Sequence, residues 1–135
     1  VYSPAPLFRA FQAPDTALYT CLEQALVDAE ITAAAHLTAL NCSHAGIEKL
    51  EGLATFTGLK ALRLSSNRIR NLVEISQLVA LEELYLEDNQ VIDPVPLYRL
   101  PALHTLDLSG NTDLQCPRQD GLKQVEQLAL PGHCL

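Results

Sequence analysis

One apolar comb recurs at a spacing of 22 residues with no insertion or deletion between copies, starting at Leu37, Leu59, Leu81, Leu103 and Val125. A fixed period in the twenties means that each unit is one turn of a coil which buries its apolar face only against the next unit. Counting from each start, position four reads Leu40, Leu62, Leu84, Leu106 and Leu128, and position six reads Cys42, Leu64, Leu86, Leu108 and Leu130. Apolar residues at alternate positions with variable ones between them are what a short strand requires when only one of its faces is buried. Stacked units therefore predict a parallel sheet, with the residues between the teeth on its outer, concave side.

Position nine reads Ala45, Asn67, Asn89, Asn111 and His133, where the chain turns inward after the strand. A buried amide side chain both donates and accepts, so Asn67, Asn89 and Asn111 are expected to form a structural ladder that satisfies backbone groups left unpaired by the turn. Apolar residues then fall at positions fourteen, seventeen and twenty: Leu50, Leu53 and Phe56; Leu72, Ile75 and Leu78; Pro94, Leu97 and Leu100. That spacing suits a tight helical return, and Pro94, Pro96 and Pro101 discourage a long α-helix in the third unit.

The pattern LxxLxLxxNxI at this period resembles a leucine-rich repeat protein over roughly residues 37–135. The resemblance implies an α/β solenoid, a right-handed coil whose parallel sheet lines the concave face. Its repeat length is similar to those of bacterial internalin-like exported proteins and of the intracellular phosphatase-regulator type. The ends depart from the pattern. Ala45 and His133 stand where Asn is expected, Cys42 replaces Leu, and Asp113 takes an apolar eleventh position, so these units read as caps. The expected organisation is a tail or linker over 1–14, an N-terminal helical cap over 15–36, four repeats over 37–124, and a partial repeat and cap over 125–135.

In the N-terminal cap, Leu18, Cys21, Leu22, Ala25, Leu26 and Ala29 share one helical face, and Asp15 or Thr16 can cap the helix start. Four cysteines allow three pairings by sequence alone. The coil narrows them, because Cys42 and the fifth unit lie four strand steps apart, about 19 Å, whereas bonded cysteines keep their Cα atoms within about 7 Å. Cys21 with Cys42 and Cys116 with Cys134 is the expected pairing; four reduced thiols are the alternative. A bridge in each cap suits an oxidising compartment, so an exported protein is expected, whether periplasmic, anchored at the outer membrane or secreted. The chain contains no Met, which fits a processed product whose export signal has gone. The opening stretch, with Pro4, Pro6, Pro14 and the exposed-looking Tyr2, Phe8 and Phe11, reads as a linker partly draped on the cap or as a docking peptide.

A net charge of −7 argues against a phosphate-backbone partner, and no apolar run approaches the ~20 residues of a membrane helix. The expected partner is a protein, the expected state a monomer, and no cofactor is implied. The concave face offers Lys60 and Arg63 from the second unit, Glu83, Tyr85 and Glu87 from the third, and His104 and Asp107 from the fourth. A basic patch beside an acidic one, with an aromatic between them, suits protein binding. The alternative is a merely solvated face on which Arg63 pairs with Glu83 or Glu87.

No catalytic or metal site is expected. His36, His44, His104 and His133 are scattered over different units, and HExxH, paired CxxC and GxSxG are all missing. Glu87, Asp88, Asn89 and Asp93 lack the spacing and glycine of a calcium loop. His133 beside Cys134 is half a metal site, but it reads first as a turn histidine in the place of an Asn.

Overall fold

A computed structural model describes residues 5–118 and 120–135. Helix α1 (Thr16–Asp28) precedes five three-residue strands: β1 (Ala39–Asn41), β2 (Ala61–Arg63), β3 (Glu83–Tyr85), β4 (Thr105–Asp107) and β5 (Gln127–Ala129). All pair in parallel and in chain order, and the register sets Leu40 beside Leu62, then Leu84, Leu106 and Leu128. The 22-residue period thus stacks like on like, and from the first unit to the fourth the teeth of the comb fill one continuous apolar core.

The returns are short 3-10 helices at Leu53–Thr55, Val73–Gln77 and Val95–Arg99. Their apolar residues at every third position, Leu53, Ile75 and Leu97 among them, are fully buried. Three residues per turn lets every third side chain face the same way, which is the geometry the spacing demands.

Asn67, Asn89 and Asn111 are buried polar residues that bond across units as well as within them. Asn89 accepts from the Ile69 amide (3.1 Å) and donates to the carbonyls of Leu64 (2.8 Å) and Leu86 (3.1 Å). Asn67 accepts from the amides of Ala45 and Ile47 and donates to the carbonyls of Cys42 and Leu64. Asn111 serves Val91, Leu86 and Leu108 in the same way. Each interior carbonyl, at Leu64 and Leu86, is therefore shared by two successive asparagines.

The residue before each ladder position adopts a left-handed backbone: His44, Ser66, Asp88 and Gly110, with φ of 57°, 57°, 58° and 77°. This bend aims the next side chain inward. Hydrophobic spacing leaves position eight free to vary, but the turn constrains its backbone sign.

At the first end, Leu18, Leu22 and Leu26 of α1 cover the first repeat, while Ala29, expected on the same face, is exposed at the helix C-cap. Asp15 joins the two: one carboxylate oxygen accepts from the Ala17 and Leu18 amides, and the other from Glu48 (2.8 Å) and Lys49 (3.0 Å). Phe8 and Phe11, read as exposed, are half-buried against Phe56 with ring centroids 5.9 and 5.5 Å away, and Phe11 stacks on Tyr19 at 5.1 Å. The Phe8 amide donates to the Ile31 carbonyl at 2.8 Å, so this stretch is built into the cap. Tyr2 and Pro4 lie outside the described residues.

Cys21 is bonded to Cys42 and Cys116 to Cys134, with Cα separations of 5.9 and 5.4 Å. Along β5 the apolar column reaches the surface, and Leu128 is 41% exposed where Leu106 beside it is 1%. Among the described residues no helix is long and apolar enough to cross a membrane.

Candidate interaction face

Because side chains alternate along a strand, position five of every unit faces away from the core. The register lines up Asn41, Arg63, Tyr85, Asp107 and Ala129 as one solvent-facing column. None of these side chains takes part in the buried core.

Arg63 and Tyr85 are direct neighbours on β2 and β3, and the guanidinium carbon lies 4.2 Å from the ring centroid. Such a cation–π contact contributes about 0.5–1 kcal/mol at an exposed site. Among the described residues Arg63 forms no ion pair with Glu83 or Glu87, because the ring lies beside it in register while both carboxylates sit diagonally. Glu83 accepts instead from the Tyr85 hydroxyl at 3.0 Å. Burial, and then this bond to a carboxylate, push the Tyr85 hydroxyl above its usual pKa.

The centre of the face is acidic. Burial, reinforced by the neighbouring Asp107 carboxylate, pushes the Glu87 carboxyl up to about 7. Two carboxylates on adjacent units repel, and the pair keeps a proton that an isolated glutamate would lose. Asp107 is itself held by the Ser109 amide (3.0 Å) and hydroxyl (2.6 Å). At one margin His104 bonds the Thr105 hydroxyl through Nδ1 at 2.8 Å and stands 4.0 Å from the Glu82 carboxylate. Lys60 is exposed beside Arg63, at the opposite margin. Lys60, Arg63, Glu83, Tyr85, Glu87, His104 and Asp107 thus share one surface, basic at the second unit and acidic at the third and fourth.

Other candidates go elsewhere. Arg68 faces Glu48 at 3.7 Å, both well exposed, and Arg70 donates to Gln90 at 2.9 Å; these lie beside an open groove flanked by Lys49 and Glu74, away from the strands. Asn89 is spent on the ladder, and Asp93 accepts from the Val95 amide, so the acidic run after Tyr85 does not converge on a cation. Among the described residues one cluster could offer three metal donors, Cys116, His133 and Cys134. His133 and Cys134 are adjacent in sequence, and the expected Cys116–Cys134 pairing brings in the third.

The family model described as Leucine Rich repeats (2 copies) matches residues 79–123. Among solved structures the chain is similar to an internalin (inlF) of Listeria monocytogenes, at 25% identity and a TM-score of 0.76, over 97% of this chain and 40% of that one. It is also similar to internalin C2 of the same organism, at 26% identity and a TM-score of 0.64, over 71% of this chain and 42% of that one. A third likeness, at 31% identity and a TM-score of 0.64, is to a leucine-rich repeat protein of Leptospira interrogans, over 71% of this chain and 26% of that one. The chain therefore spans about two-fifths of the length of the two internalins. No curated protein sequence matches it.

Proposed function

Since the chain is a leucine-rich repeat protein whose coil is similar to that of internalins, we propose that it is a non-catalytic protein-interaction module of an exported protein, binding through its concave face. The observation that carries this reading is the column Arg63, Tyr85 and Asp107 on β2, β3 and β4. It stands free of the core, in register, and flanked by charge of both signs. A rigid sheet presenting an aromatic anchor among complementary charges meets the needs of specific capture with little ordering entropy to lose.

The module acts as a monomer on a protein partner. Export is supported by a disulfide in each cap and by the likeness to internalins. An intracellular scaffold of the phosphatase-regulator type, with reduced cysteines, is the competing reading. Counting thiols in the unfolded, unreduced protein separates the two, as none marks export and four the cytosol.

The face is tested by substituting Tyr85→Ala together with Asp107→Ala. A partner captured by the parent protein is expected to be lost while the thermal midpoint holds. Capture that survives the double substitution would remove this surface from the assignment.

A further inference from the structure

His133 fills the ladder position of the last unit, and the 3-10 turn Gly132–Cys134 sets it next to Cys134. Its Nε2 meets the Leu114 carbonyl at 2.8 Å. An acceptor there holds the proton on Nε2 and leaves Nδ1 with its lone pair, which is how a backbone carbonyl orients a metal-binding imidazole. Cys116 arrives two residues after that same carbonyl, with its sulfur 3.8 Å from the His133 carbonyl oxygen. One donor atom from each of Cys116, His133 and Cys134 then lies within 4.8 Å of the others. Donors around a tetrahedral zinc ion stand about 3.5–4 Å apart, so the bridge must open and its two sulfurs separate before an ion can sit among the three donors.

We propose that the C-terminal cap is a redox-gated zinc site, closed as the Cys116–Cys134 disulfide and opened by thiol reduction into a two-sulfur, one-imidazole donor set. Two equivalents of a thiol reductant break the S–S bond, deliver two electrons and two protons to Cys116 and Cys134, and leave as the reductant's own disulfide. Zinc then binds both sulfurs as thiolates, releasing the two protons, and takes the neutral imidazole of His133 as its third ligand. Water completes a tetrahedron that stays open to exchange.

Access favours this bridge over the other. Cys116 and His133 are exposed and Cys134 half-buried, whereas Cys42 of the N-terminal bridge is 2% exposed, and no imidazole shares a donor cluster with that bridge among the described residues. The site is independent of whether the concave face binds a partner.

The test is anaerobic titration of the full chain with Co²⁺ after reduction by a phosphine, followed by Zn²⁺ competition. The expected result is one equivalent of tetrahedral cobalt with thiolate charge-transfer absorption, displaced by zinc with release of about two protons at pH 7. The oxidised protein should give no such signal, and neither should Cys116→Ser combined with Cys134→Ser. His133→Ala, which keeps every sulfur, should bind at least about tenfold more weakly. Signal surviving in the serine variant, unchanged affinity in His133→Ala, or no uptake by the reduced parent would each overturn the assignment.

Discussion

Replacing Asn89 by alanine removes four hydrogen bonds but should strand one buried group, since the Glu87 carbonyl keeps the Ser66 amide. The Leu64 carbonyl keeps Asn67, and the Leu86 carbonyl keeps Asn111 at 2.9 Å. The Ile69 amide, fully buried, loses its acceptor. One orphaned buried donor costs about 2 kcal/mol, and the small void left by the side chain adds about 0.5–1 kcal/mol. Asn67→Ala removes a side chain of the same 6% exposure, yet it strands two buried groups: the Ile47 amide and the Cys42 carbonyl, which has no second asparagine below it. Its cost is expected to be about 4–5 kcal/mol. Equilibrium urea unfolding with the disulfides intact reads both numbers, and amide exchange at Ile69 should accelerate in Asn89→Ala alone. Equal costs for the two variants would refute the reasoning, because it rests on which carbonyls are shared and not on how deeply the side chain is buried.

Other outcomes follow from the same geometry. Gly46→Ala meets only the backbone cost of φ +79°, about 1 kcal/mol, whereas at Gly52 (φ +97°) an added Cβ collides with the Gln12 carbonyl, so Gly52→Ala should cost about 2–4 kcal/mol; equal urea midpoints would contradict this. Burial alone would raise the Asp15 pKa, but four backbone amides hold it below its ordinary 3.8. Its clamp is therefore present above that pH and lost as pH falls through the lower folded value. Asp15→Ala should cost about 1–2 kcal/mol at pH 7 and converge with the parent in strong acid, as urea midpoints at both pH values will show. For Glu87 the sign reverses: its folded pKa, about 7, exceeds the ordinary 4.5, so its contribution is present below 4.5 and lost as pH rises through 7. Glu87→Gln should raise the thermal midpoint at pH 8 and leave it nearly unchanged at pH 4.5; the opposite order would mean that burial and Asp107 do not raise this carboxyl in the folded chain.

What could be read from residues alone was whatever repeats. Leu62, Leu84 and Leu106 stack because a strict period leaves one register that buries them all. The inward place of Asn67, Asn89 and Asn111 follows from the same count. The left-handed turn before each of them was not legible. Hydrophobic spacing carries no information on the sign of φ, and only Gly110 and Asp88 are of types that favour it, with Ser66 giving no hint. The seating of Phe8 and Phe11 was hidden for a different reason: their partner Phe56 lies more than forty residues away, and nothing in a proline-rich stretch without period points to it. On the concave face, position in the repeat shows which side chains leave the core, but the choice of Arg63 between a ring and two carboxylates depends on a direct versus a diagonal neighbour, which composition cannot rank. The pairing of Cys116 with Cys134 was legible from the strand spacing, whereas the place of His133 beside both sulfurs follows only from the closure of the last coil.

The carbonyl shared between neighbouring asparagines also makes the interior units interchangeable. Excising residues 59–80 would bring Asn89 over Cys42 and Ile47, in the place Asn67 now holds, and every rung would find a partner of the same kind. Length is thus uncoupled from sealing: a shorter or longer spool can be wound between the same two covalently locked lids, and the reach of the inner surface adjusted one strand at a time.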